Sequence, residues 1–276
     1  MIIKKAGKNI SNYFCGKSRI DLKGFIMKKL FVIMFAMMLV ITGVVSAQDT
    51  LTFGTNAEFP PFEFVTAEGV IDEFDGIDMV IAKTVAEENG MTAKISNMEF
   101  DSLLIALQSG QIDAVIAGMT ITEERKEAVD FTTPYYTATQ VMIVKEGSDV
   151  KSAADLTGKK IVVVQGYTGE TAIQGMGFTP NDYTALKKGS EAIIELLNGK
   201  ADVFVIDSAT AANYVADNED LVIVEDAEAF GAEEYGIAVK KGNDELLEKL
   251  NKSIEIMLED GTIGEITIKY TENSEN

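Results

Sequence analysis

Asp101-Ser-Leu-Leu-Ile-Ala-Leu-Gln-Ser-Gly110, followed by Asp113 and the apolar run Ala114-Val-Ile-Ala117, reads as a helix closed by glycine that feeds a strand. A second stretch repeats the arrangement. Ser190-Glu-Ala-Ile-Ile-Glu-Leu-Leu-Asn-Gly199 is again a helix ended by glycine, Asp202 again stands three residues on, and Val203–Ile206 is again apolar. Eight residues beyond the two glycines come Gly118 and Asp207. Two sheets with an equivalent helix–turn–strand unit follow, each presenting a polar feature where its strand ends. Ligands of open α/β sheets bind outside the carboxyl ends of the strands. If the sheets face each other, Gly118 and Asp207 look into one cleft from opposite sides.

The alternation continues on either side. Leu51–Gly54, Thr92–Asn97, Val141–Lys145, Ile161–Val164, Leu221–Val224 and Ile237–Val239 read as strands. Asp78–Glu88, Glu123–Val129 and Asp244–Leu258 read as helices, the first with Met79, Ala82, Val85 and Ala86 on one face. Alternating β and α units imply an α/β fold of mostly parallel sheets covered by helices.

Composition narrows the chemistry. The chain has 24 basic and 44 acidic residues, a formal charge of −20. Residues 1–47 hold eight of the basic residues and one acid, leaving 16 against 43, or −27, in the remainder. Such a surface does not attract nucleic acid or anionic lipid. The chain has no histidine, and its one cysteine, Cys15, lies in the leader. Residues 48–276 therefore offer no thiol nucleophile, no imidazole base and no His or Cys metal ligand. No metal or cofactor is expected.

Met27-Lys-Lys, the apolar run Leu30–Val45 and the small residues Val45-Ser46-Ala47 read as a signal peptide over 27–47 within a leader of 1–47. No cysteine follows the run, so no lipid anchor is expected. The product should be exported to the periplasm as a soluble monomer.

Beyond the leader one arginine remains among lysines, Arg125 in Ala117-Gly-Met-Thr-Ile-Thr-Glu-Glu-Arg125. A guanidinium grips a carboxylate with two parallel hydrogen bonds, whereas lysine is a point charge. Gly118 permits close backbone approach, and Thr120 and Thr122 add hydroxyls. The plainer reading is a surface residue on an acidic helix, paired with Glu124. A free amino acid needs a fork for its carboxylate, an acid for its ammonium and a pocket for its side chain. Arg125 can supply the first and Asp207 the second, and Phe59 and Phe100 can clamp the third. Asp207 could instead cap a helix over Ser208–Val215, and the two phenylalanines could be ordinary core.

Five segments carry a resemblance. They are Asn56-Ala-Glu-Phe-Pro-Pro-Phe-Glu-Phe64, Gly76-Ile-Asp-Met79, Phe100-Asp-Ser-Leu, Ile112–Arg125 and Val129-Asp-Phe-Thr-Thr-Pro-Tyr-Tyr136. In this order and spacing the chain from Gln48 to Glu272 resembles the polar amino-acid-binding proteins of ABC importers, solute-binding protein family 3. The resemblance implies the two-lobed periplasmic-binding-protein fold, each lobe a mostly parallel sheet flanked by helices. It also implies two crossover strands, near Thr137–Gln140 and Phe230–Glu234. Lobe one would be 50–138 plus 232–276, and lobe two 139–231.

The same resemblance assigns ligand contacts. Arg125, Thr120 and Thr168 match the head-group and carboxylate contacts. Gly118 and Asp207 match the ammonium site, and Phe59 and Phe100 the aromatic pair. Around the side chain stand Asn56, Glu58, Ala117 and Val164; neutral Asn56 with apolar Ala117 and Val164 favours an uncharged polar group such as an amide over an acidic one, while arginine or lysine fits if Glu58 turns inward. The expected function is capture of a free polar L-amino acid between the lobes and delivery to a membrane permease. The alternative is a dehydratase-type enzyme on the same fold, acting on a carboxylated ring substrate with Glu58, Asp207 and Arg125.

Overall fold

The computed structural model describes residues 49–272. The leader over 1–47, with its expected signal peptide, and the last four residues of 232–276 lie outside these. The described chain begins with β1 (Thr50–Thr55) and turns through a small antiparallel sheet of β2 (Glu58–Phe59), β3 (Glu63–Val65) and β4 (Phe74–Asp75). Helix α1 (Ile77–Glu88) leads to β5 (Thr92–Asn97). Helix α2 (Leu103–Ser109), entered through a 3-10 turn at Phe100–Ser102, leads to β6 (Ala114–Val115), then α3 (Glu123–Ala128) and β7 (Val129–Phe131). The long β8 (Tyr136–Lys145) passes to a second sheet. There follow β9 (Ile161–Val164), α4 (Thr168–Gly175), β10 (Tyr183–Leu186), α5 (Gly189–Leu197), β11 (Val203–Asp207), α6 (Ser208–Ala216) and β12 (Leu221–Val224). β13 (Ala232–Tyr235) leads back to β14 (Ala238–Lys240), and α7 (Asp244–Glu259) and α8 (Thr262–Glu272) pack on α1.

The two main sheets share one plan. Their strand orders are β5-β1-β6-β14-β7 and β10-β9-β11-β8-β12, with β13 also paired to β8. The first three strands of each order run parallel, as βαβ units require. In both, the fourth strand is reversed and antiparallel to both neighbours. The reversed strands β14 and β8 are those that follow a passage between the sheets. Four of the five strands in each order therefore point one way, the mostly parallel arrangement expected from the alternating pattern. Tyr136–Thr139 and Ala232–Tyr235, the two segments joining the sheets, lie side by side in antiparallel register.

The repeated sequence unit is a repeated structure. Asp113 accepts the backbone N–H of Thr52 at 2.8 Å and returns its own N–H to the Thr52 carbonyl at 2.9 Å. Asp202 does the same with Lys160, at 2.8 Å in both directions. In each sheet the aspartate ties the start of the third strand to the chain beside the first. The strands fill the core as their composition dictates. All four residues of β9, Ile-Val-Val-Val, are buried, as a strand covered on both faces requires. On α1 the inward face is Ile77, Met79, Ile81, Ala82, Val85 and Ala86.

Candidate functional site

The site forms where β6 and β11 end and where β13 passes between the sheets. After β6 the chain runs beside β13. Ile121 N–H donates to the Glu234 carbonyl at 2.7 Å and Gly236 N–H to that of Met119 at 3.1 Å. This pairing sets Thr120 opposite Tyr235, with its hydroxyl in reach of the Glu233 side chain. Gly118 precedes it with φ +51°, and a Cβ there would lie 2.6 Å from the Phe59 ring. Both the left-handed backbone and the close approach demand glycine. Its N–H is held by the buried carboxylate of Asp78 at 2.7 Å.

Arg125 is not a solvated residue of an acidic helix. Thr122 caps α3 by accepting the Arg125 N–H at 3.1 Å, which turns the side chain back toward the cleft. The guanidinium donates to the Thr120 carbonyl at 2.7 Å and, across to the second sheet's side, to the Gly166 carbonyl at 3.0 Å. Its carbon lies 5.2 Å from the Phe100 ring centre. Burial pulls its pKa down, while Glu233 and then Asp207 pull it back.

Asp207 ends β11 and occupies the N-cap position of α6, but its side chain makes no capping bond. Its Oδ1 accepts instead from the Tyr235 hydroxyl at 2.6 Å. Burial, followed by the charge of Glu233, pushes its pKa up to about 7. Glu233 Oε2 gathers three donors: Thr168 hydroxyl at 2.7 Å, Thr120 hydroxyl at 2.9 Å and Gln140 amide at 3.4 Å.

One small cavity is lined by Phe59, Phe100, Ala117, Gly118, Thr120, Arg125, Tyr167, Thr168 and Asp207. Eight of the nine residues singled out from the sequence are among them. At about 10 Å³ it has the room of a single water. Asn56 is the exception and does not line it. It sits behind Tyr167, accepting its hydroxyl at 2.8 Å and donating to the Met98 carbonyl at 3.0 Å, so its amide is already engaged. Glu58 is drawn away to Lys188 at 2.7 Å, and Val164 is packed in the second sheet without lining the cavity. Of the four residues named around the side chain, only Ala117 lines this cavity. A larger groove of about 490 Å³ shares Thr120 and Thr168 with the cavity. It adds threonines, Glu233 and Glu234 but no basic or aromatic side chain, so it offers a carboxylate hydroxyls without a cation.

Four contributors escaped the sequence reading: Tyr167, Glu233, Tyr235 and Asp78. Tyr167 stands next to Thr168 in Gln165-Gly-Tyr-Thr168, and Glu233 falls in the expected crossover, so their positions were the available signals. Asp78 holds Gly118 and accepts the Tyr135 hydroxyl at 2.9 Å. Burial raises it to about 6. Beside it Glu63, wholly buried, is held well above the ordinary carboxyl range by burial first, then by the charge of Asp78.

A family model of the bacterial extracellular solute-binding proteins, family 3, matches residues 51–273. The chain belongs to this family. Among relatives of this solute-binding protein, the ABC transporter arginine-binding protein 1 of Escherichia coli (strain K12) is 36% identical over 249 residues, covering 88% of this chain and 99% of its own. The crystal structure of the arginine-, lysine-, histidine-binding protein ArtJ from Geobacillus stearothermophilus matches with a TM-score of 0.75 and 36% identity, over 80% of this chain and 95% of that one. An ancestral arginine-binding protein bound to glutamine matches with a TM-score of 0.73 and 45% identity, over 80% and 97%. These are binding proteins, and the dehydratase reading finds no support among them. No helix among the described residues is long and apolar enough to cross a membrane.

Proposed function

We propose that this solute-binding protein captures a free polar L-amino acid by its head group between two lobes and hands it to the permease of an ABC importer. In this reading lobe one is 50–138 plus 232–276, lobe two is 139–231, and the β8–β13 pair is the hinge. The Arg125 fork and the hydroxyls of Thr120 and Thr168 receive the α-carboxylate. Asp207 and the backbone at Gly118 receive the ammonium. Phe59, Phe100 and Ala117 wall the side chain. Parting the lobes at the hinge admits the ligand, and closure adds contacts that the open form lacks.

The observation that carries the reading is one cavity holding a guanidinium and a buried carboxylate from opposite sheets. Burying both charges of a zwitterion is costly unless each is paired, and this cavity offers one partner of each sign. The relatives, named as binding arginine, lysine and histidine or found bound to glutamine, support the same ligand class. The test is mass spectrometry of small molecules released by denaturing protein purified without refolding, followed by incubation of the pure protein with the ligand found. An amino acid returned unchanged supports capture. A chemically altered product, or no amino acid at all, overturns it.

A further inference from the structure

We infer that Tyr167 sets the length of side chain this site accepts, and that the ligand is an amino acid with a short, uncharged polar side chain of the size of serine or threonine. The inference rests on the amino-acid reading above and narrows its ligand class.

The slot between Phe59 and Phe100, expected to clamp the ligand side chain, is filled by the chain itself. The Tyr167 ring meets Phe59 edge-on, centres 5.3 Å apart at 87°, and Phe100 at 4.6 Å and 63°. Edge-to-face contacts of this kind are favourable beyond the area they bury. The ring is fixed at both ends. At its tip the hydroxyl donates to Asn56 Oδ1 at 2.8 Å, and Asn56 is itself held by the Met98 carbonyl at 3.0 Å. At its base the Tyr167 N–H donates to the Val164 carbonyl at 3.1 Å, and the preceding Gly166 N–H donates to Glu170 at 2.8 Å. Swinging the ring aside would strand the buried Asn56 oxygen without a donor, which is costly.

Charge points the same way as shape. A guanidinium or ammonium side chain needs a paired acid when buried. Glu58 is the near candidate in sequence, and it is bound to Lys188 at 2.7 Å and Ser190 at 3.3 Å. A side-chain carboxylate would need a cation besides Arg125, and none lines the cavity. A long polar side chain meets the Tyr167 ring, and a charged one meets no counter-ion.

The test is calorimetric titration of the purified protein with glycine, alanine, serine, threonine, glutamine, histidine, lysine and arginine. The wild type should bind a short side chain most tightly, with glutamine and arginine at least about tenfold weaker, the scale on which pockets discriminate by size. Tyr167→Ser should narrow or reverse that gap by about tenfold or more. Tyr167→Phe keeps the ring and should keep the ligand order. Cooperative melting of each variant guards against misfolding. If Tyr167→Ser does not fold, the wild-type order alone decides. A wild type that prefers glutamine or arginine, or a folded Tyr167→Ser with an unchanged order, overturns this inference and leaves the amino-acid reading standing. Failure of the wild type and Tyr167→Ser alike to bind any of the panel overturns both.

Discussion

Tyr235 donates its hydroxyl to Oδ1 of Asp207 at 2.6 Å, and both side chains are buried. The bond favours the ionised carboxylate. Burial and the neighbouring charge of Glu233 oppose it and prevail, so Asp207 stands at about 7. The residue best placed to receive a ligand ammonium is thus protonated in much of the protein below neutral pH.

That placement fixes the sign of a pH dependence. A carboxyl raised in the fold is protonated there while its unfolded counterpart is already ionised, so stability is present at low pH and is lost as pH rises to the folded value. For Asp207 the window runs from its ordinary 3.8 to about 7, worth roughly 4 kcal/mol. Asp78, at about 6, and Glu63 carry the same sign. Several exposed aspartates lowered by their hydrogen bonds, such as Asp182 and Asp226, act oppositely but at lower pH. The melting temperature of ligand-free protein should fall between pH 4.5 and 7, and Asp207→Asn should flatten the slope. A melting temperature that is level or rising across this range would refute the assignment.

Arg125→Lys should lose most ligand affinity while keeping its charge. The fork loses one of two directed bonds to a carboxylate, and charge-assisted bonds are worth roughly 1.5–3 kcal/mol each, so about a tenfold to hundredfold weakening follows. Calorimetry giving wild-type affinity would return Arg125 to a structural role through its bonds to the Thr120 and Gly166 carbonyls.

Glu233 gives a prediction of opposite direction. Its Oε2 occupies the hydroxyls of Thr120 and Thr168, the groups proposed for the ligand carboxylate. Glu233→Gln keeps a hydrogen-bonding group there and removes a negative charge. Affinity should rise several-fold, and the melting slope near pH 7 should shrink as Asp207 loses its second cause of elevation. A fall in affinity would mean that the charge organises the hydroxyls rather than competing with the ligand.

The sequence disclosed what is periodic or rare. The helix–glycine–aspartate–strand unit repeats, so the equivalence of the two sheets was readable, down to Asp113 and Asp202. Arg125 stood out because lysine fills every other basic position beyond the leader. What was hidden depends on where side chains point. Tyr167 and Phe59 are both aromatic residues near strand ends, and nothing local says that one ring enters the slot of the other. Asn56 lies close to Phe59 in the chain, yet its amide faces Tyr167 and Met98. Strands of two or three residues, such as β2 and β4, are too short to show alternation. Glu233 reaches the site only because β13 pairs with the chain after β6, a contact between segments more than a hundred residues apart.

The lobes are also tied by charge. Lys188 meets Glu58 at 2.7 Å and Lys187 meets Asp101 at 2.8 Å, each joining the second sheet's side to the first. All four side chains are partly exposed, so each pair is worth little alone and is screened by salt. Together they would bias the hinge proposed above rather than lock it. Lys187→Gln with Lys188→Gln should enlarge the radius of gyration of the ligand-free protein in small-angle scattering, and raising salt should move the wild type in the same direction. Ligand should return both proteins to one compact form and raise their melting temperatures with occupancy. If the double variant scatters identically to the wild type without ligand, the Tyr167 ring contacts and the Arg125–Gly166 bond suffice to hold the lobes, and the lysines serve only the surface.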